Sequence, residues 1–240
     1  MSITLSVEQM SKAGLQFGHK KSKIHPKMKP YLLGVRNTVF IIDLDKTKSK
    51  FVVALEAIQK LVSENKTLIF VGTKVQFKKI VKETAEACGF PYVNERWLGG
   101  TFTNFSVIKK RLDYFKEQER KKTAGEYEKY TKKEQANVTK ELKDMARKFG
   151  GIKNLEKMPE AIFVVDMKKD KLAIKEAREN GISVIGIADV NINPDLADFP
   201  IIANDDAISS VGFILEKIKE AVLAQRQVNS EKPTVAEEKK

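Results

Sequence analysis

Asp43, Asp166 and Asp189 each close a short apolar stretch, following Val39-Phe40-Ile41-Ile42, Ile162-Phe163-Val164-Val165 and Val184-Ile185-Gly186-Ile187. If those runs are parallel strands, the carboxylates stand at strand carboxyl ends, where open α/β sheets bind ligands. Three acids there could hold a metal for phosphoryl transfer. The rest of the chain gives that enzyme little support. Val71-Gly72-Thr73-Lys74 lacks the second glycine and the Lys-Ser/Thr pair of a P-loop, and no Gly-x-Gly-x-x-Gly follows any strand run. Asp after a strand is also a common turn and helix-cap choice. Neither His19 nor His25, the only histidines, sits beside a serine in a Gly-x-Ser-x-Gly elbow. Cys88, the only cysteine, reads as a small apolar residue at a helix end and permits no intramolecular disulfide, which fits a reducing cytosol. A metal site from His19, His25 and Cys88 would have to join a lysine-rich loop to a helix C-terminus. No catalysis, cofactor or metal is expected.

Phosphate binding is the chemistry the chain does advertise. Its 44 Lys and Arg against 32 Asp and Glu leave a formal charge of +12, which favours a polyanionic partner. Between His19 and Arg36 lie Lys20, Lys21, Lys23, Lys27, Lys29 and Arg36, with no acid among them, and Pro26 and Pro30 forbid a continuous helix. Six uncompensated charges on a loop predict phosphate contacts. Lys74, after a strand, is expected on the same surface. The segment from Arg96 to Phe105 carries the only tryptophan, Trp97, then Gly99 and Gly100, then Thr101, Thr103 and Asn104. Here the glycines would let another backbone approach, Thr101 and Asn104 would cap the following helix, and a backbone nest would face a phosphate-rich partner with Arg96. Lys109, Lys110 and Arg111 extend the basic surface into that helix, while Trp97 packs at its base.

The elements that must position these residues are legible from periodicity. Runs such as Leu68-Ile69-Phe70-Val71 are continuous and apolar, the pattern of strands buried on both faces, and helical spacing separates them, as in Phe51, Leu55, Ile58 and Val62. Short strands near Tyr92-Val93 and Pro200-Ile201-Ile202 would complete a sheet of about five. The fold class expected is α/β, doubly wound, with a mostly parallel sheet. Ser6 with Gln9 suggests a capping box for a short first helix ended by Gly14. Residues 104–149 contain no strand run and read as an inserted antiparallel helical, coiled-coil hairpin broken near Thr123-Ala124-Gly125. The α/β body is therefore 1–103 and 150–227. A last helix should start at an Asp205-Asp206 cap and end near Gln225, leaving 228–240 as a disordered tail. No run of eighteen apolar residues exists, so a cytoplasmic protein without membrane contact is expected.

Gly72-Thr73-Lys74 and the whole stretch Pro91 to Phe105 resemble the bacterial small-subunit ribosomal protein S2 family. So do Phe17-Gly18-His19, Pro26 to Tyr31, Gly150-Gly151-Ile152 and Asn204 to Ile208, in the same order along nearly the whole chain. Two departures are mild: Val190 after Asp189, and Ile202-Ala203 before Asn204, where a threonine and a Pro-Gly-like pair are expected. The resemblance implies a structural protein of the small subunit that contacts ribosomal RNA by shape and phosphate. It also implies neighbouring ribosomal proteins as partners, including the large mRNA-binding protein S1, and no homo-oligomer. A free RNA-binding regulator is the alternative that charge alone does not separate, since no RRM, KH or helix-turn-helix signature is visible.

Overall fold

The structure, a computed structural model, describes residues 5–231, apart from the side chains of Lys21, Ser230 and Glu231. The chain forms two compact units. One comprises residues up to Thr67 and from Ile187 onward, the other Leu68–Gly186.

In the first unit α1 (Val7–Lys12) starts after Ser6, but the Ser6 side chain makes no capping hydrogen bond, so the expected capping box is not formed. The segment expected as a basic loop is more ordered than that. It builds β1 (Phe17–Lys20) and β2 (Leu32–Arg36), joined through short 3-10 turns at Lys21–Lys23 and Pro26–Tyr31. With β3 (Val39–Ile42) these strands make a small antiparallel sheet of order β1-β3-β2. The apolar run at Val39–Ile42 is therefore not a buried parallel strand. Only Ile42 is buried, because its neighbours are strands of a surface sheet and not flanking helices. Asn37 and Thr38 turn β2 into β3, both at positive φ, as the tightest hairpin turns require. Then α2 (Leu44–Ser63) buries Phe51, Ala54, Leu55, Ile58 and Val62 on one stripe.

The second unit carries β4 (Leu68–Val71), α3 (Lys78–Ala87), β5 (Tyr92–Val93), α4 (Phe105–Thr123), α5 (Lys132–Phe149), β6 (Ala161–Val164) and α6 (Lys171–Glu179). It also holds most of β7 (Ser183–Ala188). The larger sheet has the order β5-β4-β6-β7-β8, with β8 at Phe199–Ile202. Pairing is parallel and in continuous register, Leu68 opposite Ala161 and Ala161 opposite Ser183. All residues of β4 and β6 are buried, as expected for strands covered on both faces. α4 and α5 lie beside one another, the Tyr114 hydroxyl reaching Glu141, and bury Ile108, Leu112, Phe115, Leu142 and Phe149. They belong to the same compact unit as the strands before and after them. Thr131 and Glu134 form a reciprocal capping box that starts α5.

The last helix, α7, spans Ile208–Glu231. In the turn before it, Asn204 Oδ1 accepts from the N–H groups of Asp206 and Ala207. The helix runs past Gln225 and includes Val228–Glu231, which the composition had placed in a disordered tail. Residues 232–240 of that tail lie outside the described residues.

Candidate nucleic-acid interface

The acid-free segment meets the surface through a fixed frame. Met28 is fully buried and anchors the middle of the segment, while the His25 N–H donates to the Val190 carbonyl at 2.8 Å. β3 aligns the two ends: Lys20 and Arg36 both lie opposite Val39, one on each neighbouring strand. Cross-strand partners project to the same face, so the Lys20 and Arg36 cations flank one position about 10 Å apart at their Cα atoms. Lys20, Lys23, Lys29 and Arg36 are exposed, and among the described residues none forms an ion pair within the chain. Lys27 differs, since its ammonium bridges Asp195. Lys21 has a described backbone but its side chain lies outside the described set.

Lys74 is not a solvated cation. Its Nζ lies 2.6 Å from Asp166 and is largely shielded from solvent. The same Asp166 accepts the N–H groups of Lys168 and Lys169, and Asp170 accepts the Thr73 hydroxyl at 2.7 Å and its N–H at 3.2 Å. Burial pushes the Asp170 carboxyl above the usual range, against the pull of the two Thr73 hydrogen bonds. Lys74 is thus part of a turn-stabilising network between β4 and β6.

The other strand-end acids have equally local duties. Asp43 caps α2, accepting from Asp45 and Lys46. Asp189 is buried and engages His19 Nδ1 at 2.9 Å while accepting its neighbour Val190 N–H. Asp43, Asp166 and Asp189 each engage different partners. His19 Nε2 lies 3.2 Å from Asp206 and 2.9 Å from the Asn191 amide. The hydrogen bond that His19 donates to the Asp189 carboxylate, opposed by burial, holds the imidazole above its ordinary value. Among the described residues His19, Asp205 and Asp206 are the group able to share a metal ion, with ligand atoms within 4.8 Å of one another. Neither His25 nor Cys88 belongs to it; Cys88 is buried at the end of α3.

The motif from Arg96 to Asn104 divides between the interior and the surface. Trp97 is buried, its ring edge-on to Phe102 at 4.8 Å between centroids. Thr101 is buried too, its hydroxyl donating to the Leu98 carbonyl at 2.6 Å, so it neither faces RNA nor caps α4. Asn104 occupies the cap position and is exposed, but its side chain makes no capping bond. The backbone nest exists, with Gly100 at φ +89°, yet it is already filled. The Gly100 N–H donates to Glu176 Oε1 at 2.8 Å and the Phe102 N–H to Glu176 Oε2 at 2.9 Å. The expectation of an RNA-facing nest is corrected on this point: the anion it binds is a side chain of α6. Sequence reading missed Glu176 because nothing in its local pattern distinguishes it from a solvated helix acid. Gly99 is exposed, and a Cβ there would only touch Leu172. Arg96, Lys109, Lys110 and Arg111 are exposed, and no ion pair engages them among the described residues.

A family model described as ribosomal protein S2 matches residues 10–225. The chain is also similar to the small ribosomal subunit protein uS2 of Dictyoglomus thermophilum, with 43% identity over 217 residues, covering 90% of this chain and 88% of that protein.

Proposed function

The chain belongs to the ribosomal protein S2 family, and from that premise we propose that it binds ribosomal RNA with the cations of its small antiparallel sheet and of the start of α4. Its role is that of a structural component of the small ribosomal subunit. Lys20, Lys23, Lys29 and Arg36 provide the first set of phosphate contacts, and Arg96, Lys109, Lys110 and Arg111 the second. The observation that carries this reading is the alignment of Lys20 and Arg36 on either side of Val39, unpaired and held by a folded frame. Point cations presented this way read the phosphate backbone and carry little base selectivity. Contacts with neighbouring small-subunit proteins, the large mRNA-binding protein S1 among them, and residence in the cytoplasm belong to the same reading. So does the helical pair α4 and α5 as an inserted arm, since two charged helices with one narrow apolar seam gain burial by docking.

Sucrose-gradient sedimentation of a cell lysate tests the proposal against a free RNA-binding regulator and a metabolic enzyme. The chain is expected to migrate with the small subunit at moderate salt. Recovery near the top of the gradient, with small subunits intact below it, would reject the ribosomal reading.

A further inference from the structure

Glu176 is a carboxylate in an unusual position. It is 4% exposed, and among the described residues no Lys or Arg pairs with it. A buried ionised carboxylate without a counter-charge is costly unless hydrogen bonds replace its water. Here the replacement comes from backbone alone: the N–H groups of Gly100 and Phe102, two residues apart, each meet one carboxylate oxygen. A turn that alternates its handedness brings nearby N–H groups to converge on one anion, and the positive φ of Gly100 provides that alternation. Both distances lie in the range of charge-assisted hydrogen bonds. The same turn leads into α4, because the Asn104 N–H donates back to the Gly100 carbonyl at 2.9 Å and α4 begins at Phe105.

We infer that the Gly100–Phe102 turn is an oxyanion-binding site whose resident ligand is the chain's own Glu176, and that this carboxylate holds the lead-in to α4. Emptied of that side chain, the site accepts a small carboxylate or phosphate from solution. The turn therefore owes its glycine and its backbone geometry to an internal anion and not to an RNA phosphate.

Chemical rescue of the full-length Glu176→Ala chain tests this, with sodium acetate and inorganic phosphate as probes at constant ionic strength and chloride as control. The substitution is expected to lower the melting temperature by roughly 5 to 10 °C, since it leaves one buried and one part-buried N–H group without an acceptor. Acetate should recover at least half of that shift saturably, while the wild-type chain responds no more to acetate than to chloride. Amide exchange at Gly100 and Phe102 should quicken in the variant and slow again with acetate. A loss that chloride restores equally well, or one that no anion restores, would overturn the inference. If Glu176→Ala does not fold, Glu176→Gln decides: faster exchange at those two amides with the rest of α6 unchanged supports the site, and unchanged exchange at both overturns it.

Discussion

Gly151→Ala is expected to destabilise the chain by about 3 kcal/mol or more, while Gly150→Ala, one residue earlier, leaves stability within about 0.5 kcal/mol. The contrast is steric. A methyl group on Gly151 would overlap the Tyr92 carbonyl oxygen, which is backbone, and would also press on the Tyr92 ring. A methyl group on Gly150 meets nothing within 4 Å. Tyr92 has little room to retreat, because it stands in β5, the edge strand paired with β4, and its hydroxyl bonds Glu86 at 3.2 Å. Burial, with the nearby Glu86 carboxylate, pushes that phenol up to about 12. Urea unfolding of the two variants checks the prediction. Equal midpoints would mean that β5 yields freely and that the Gly150-Gly151 pair is only a turn.

Trp97→Ala should cost about 3 to 5 kcal/mol, the ordinary range for emptying a buried aromatic site. Trp97 is 6% exposed and packs edge-on against Phe102 beneath the turn that Glu176 closes. Trp97→Phe is the informative companion. The indole Nε1 is buried and makes no hydrogen bond, so replacing the indole by a smaller ring forfeits volume but no polar partner. The Phe variant is therefore expected to retain more than half of the stability that Ala loses, by thermal or urea unfolding. Similar losses for both variants would contradict this and show that a phenyl ring does not fill the space the indole occupies.

How far the fold could be read in advance depended on what each signal measures. Continuous apolar runs at Leu68–Val71 and Ala161–Val164 mark strands covered on both faces, and the parallel sheet follows from them. The run at Val39–Ile42 looks the same in sequence but sits in an antiparallel surface sheet, because hydropathy does not say which strand becomes the neighbour. The basic segment taught a related lesson. Its prolines do break any helix, yet Met28 buries itself and the flanking residues pair with β3, so a run of lysines is carried by ordered backbone. The capping box at Thr131 and Glu134 has a sequence signature and was available to reading, whereas the Asn204 contacts to the N–H groups of Asp206 and Ala207 before α7 carry none. Among the site residues, exposure of Lys20, Arg36 and Arg96 agrees with their charge, while Lys74 and Thr101 turn inward to partners far along the chain or at its next turn. Glu176 lies 76 residues from Gly100, and no local pattern connects them.

The most direct measurement of the central claim is the salt dependence of binding to small-subunit ribosomal RNA, with Lys20, Lys23 and Lys29 replaced together by Gln. Each cation that neutralises a phosphate contributes about 0.7 to 0.9 to the slope of log affinity against log salt, so the triple variant should lose about 2 to 3 units of slope. Its unfolding midpoint should stay near that of the wild-type chain, since all three side chains are exposed and unpaired. An unchanged slope with an intact fold would contradict the account and leave the basic segment a solvated surface.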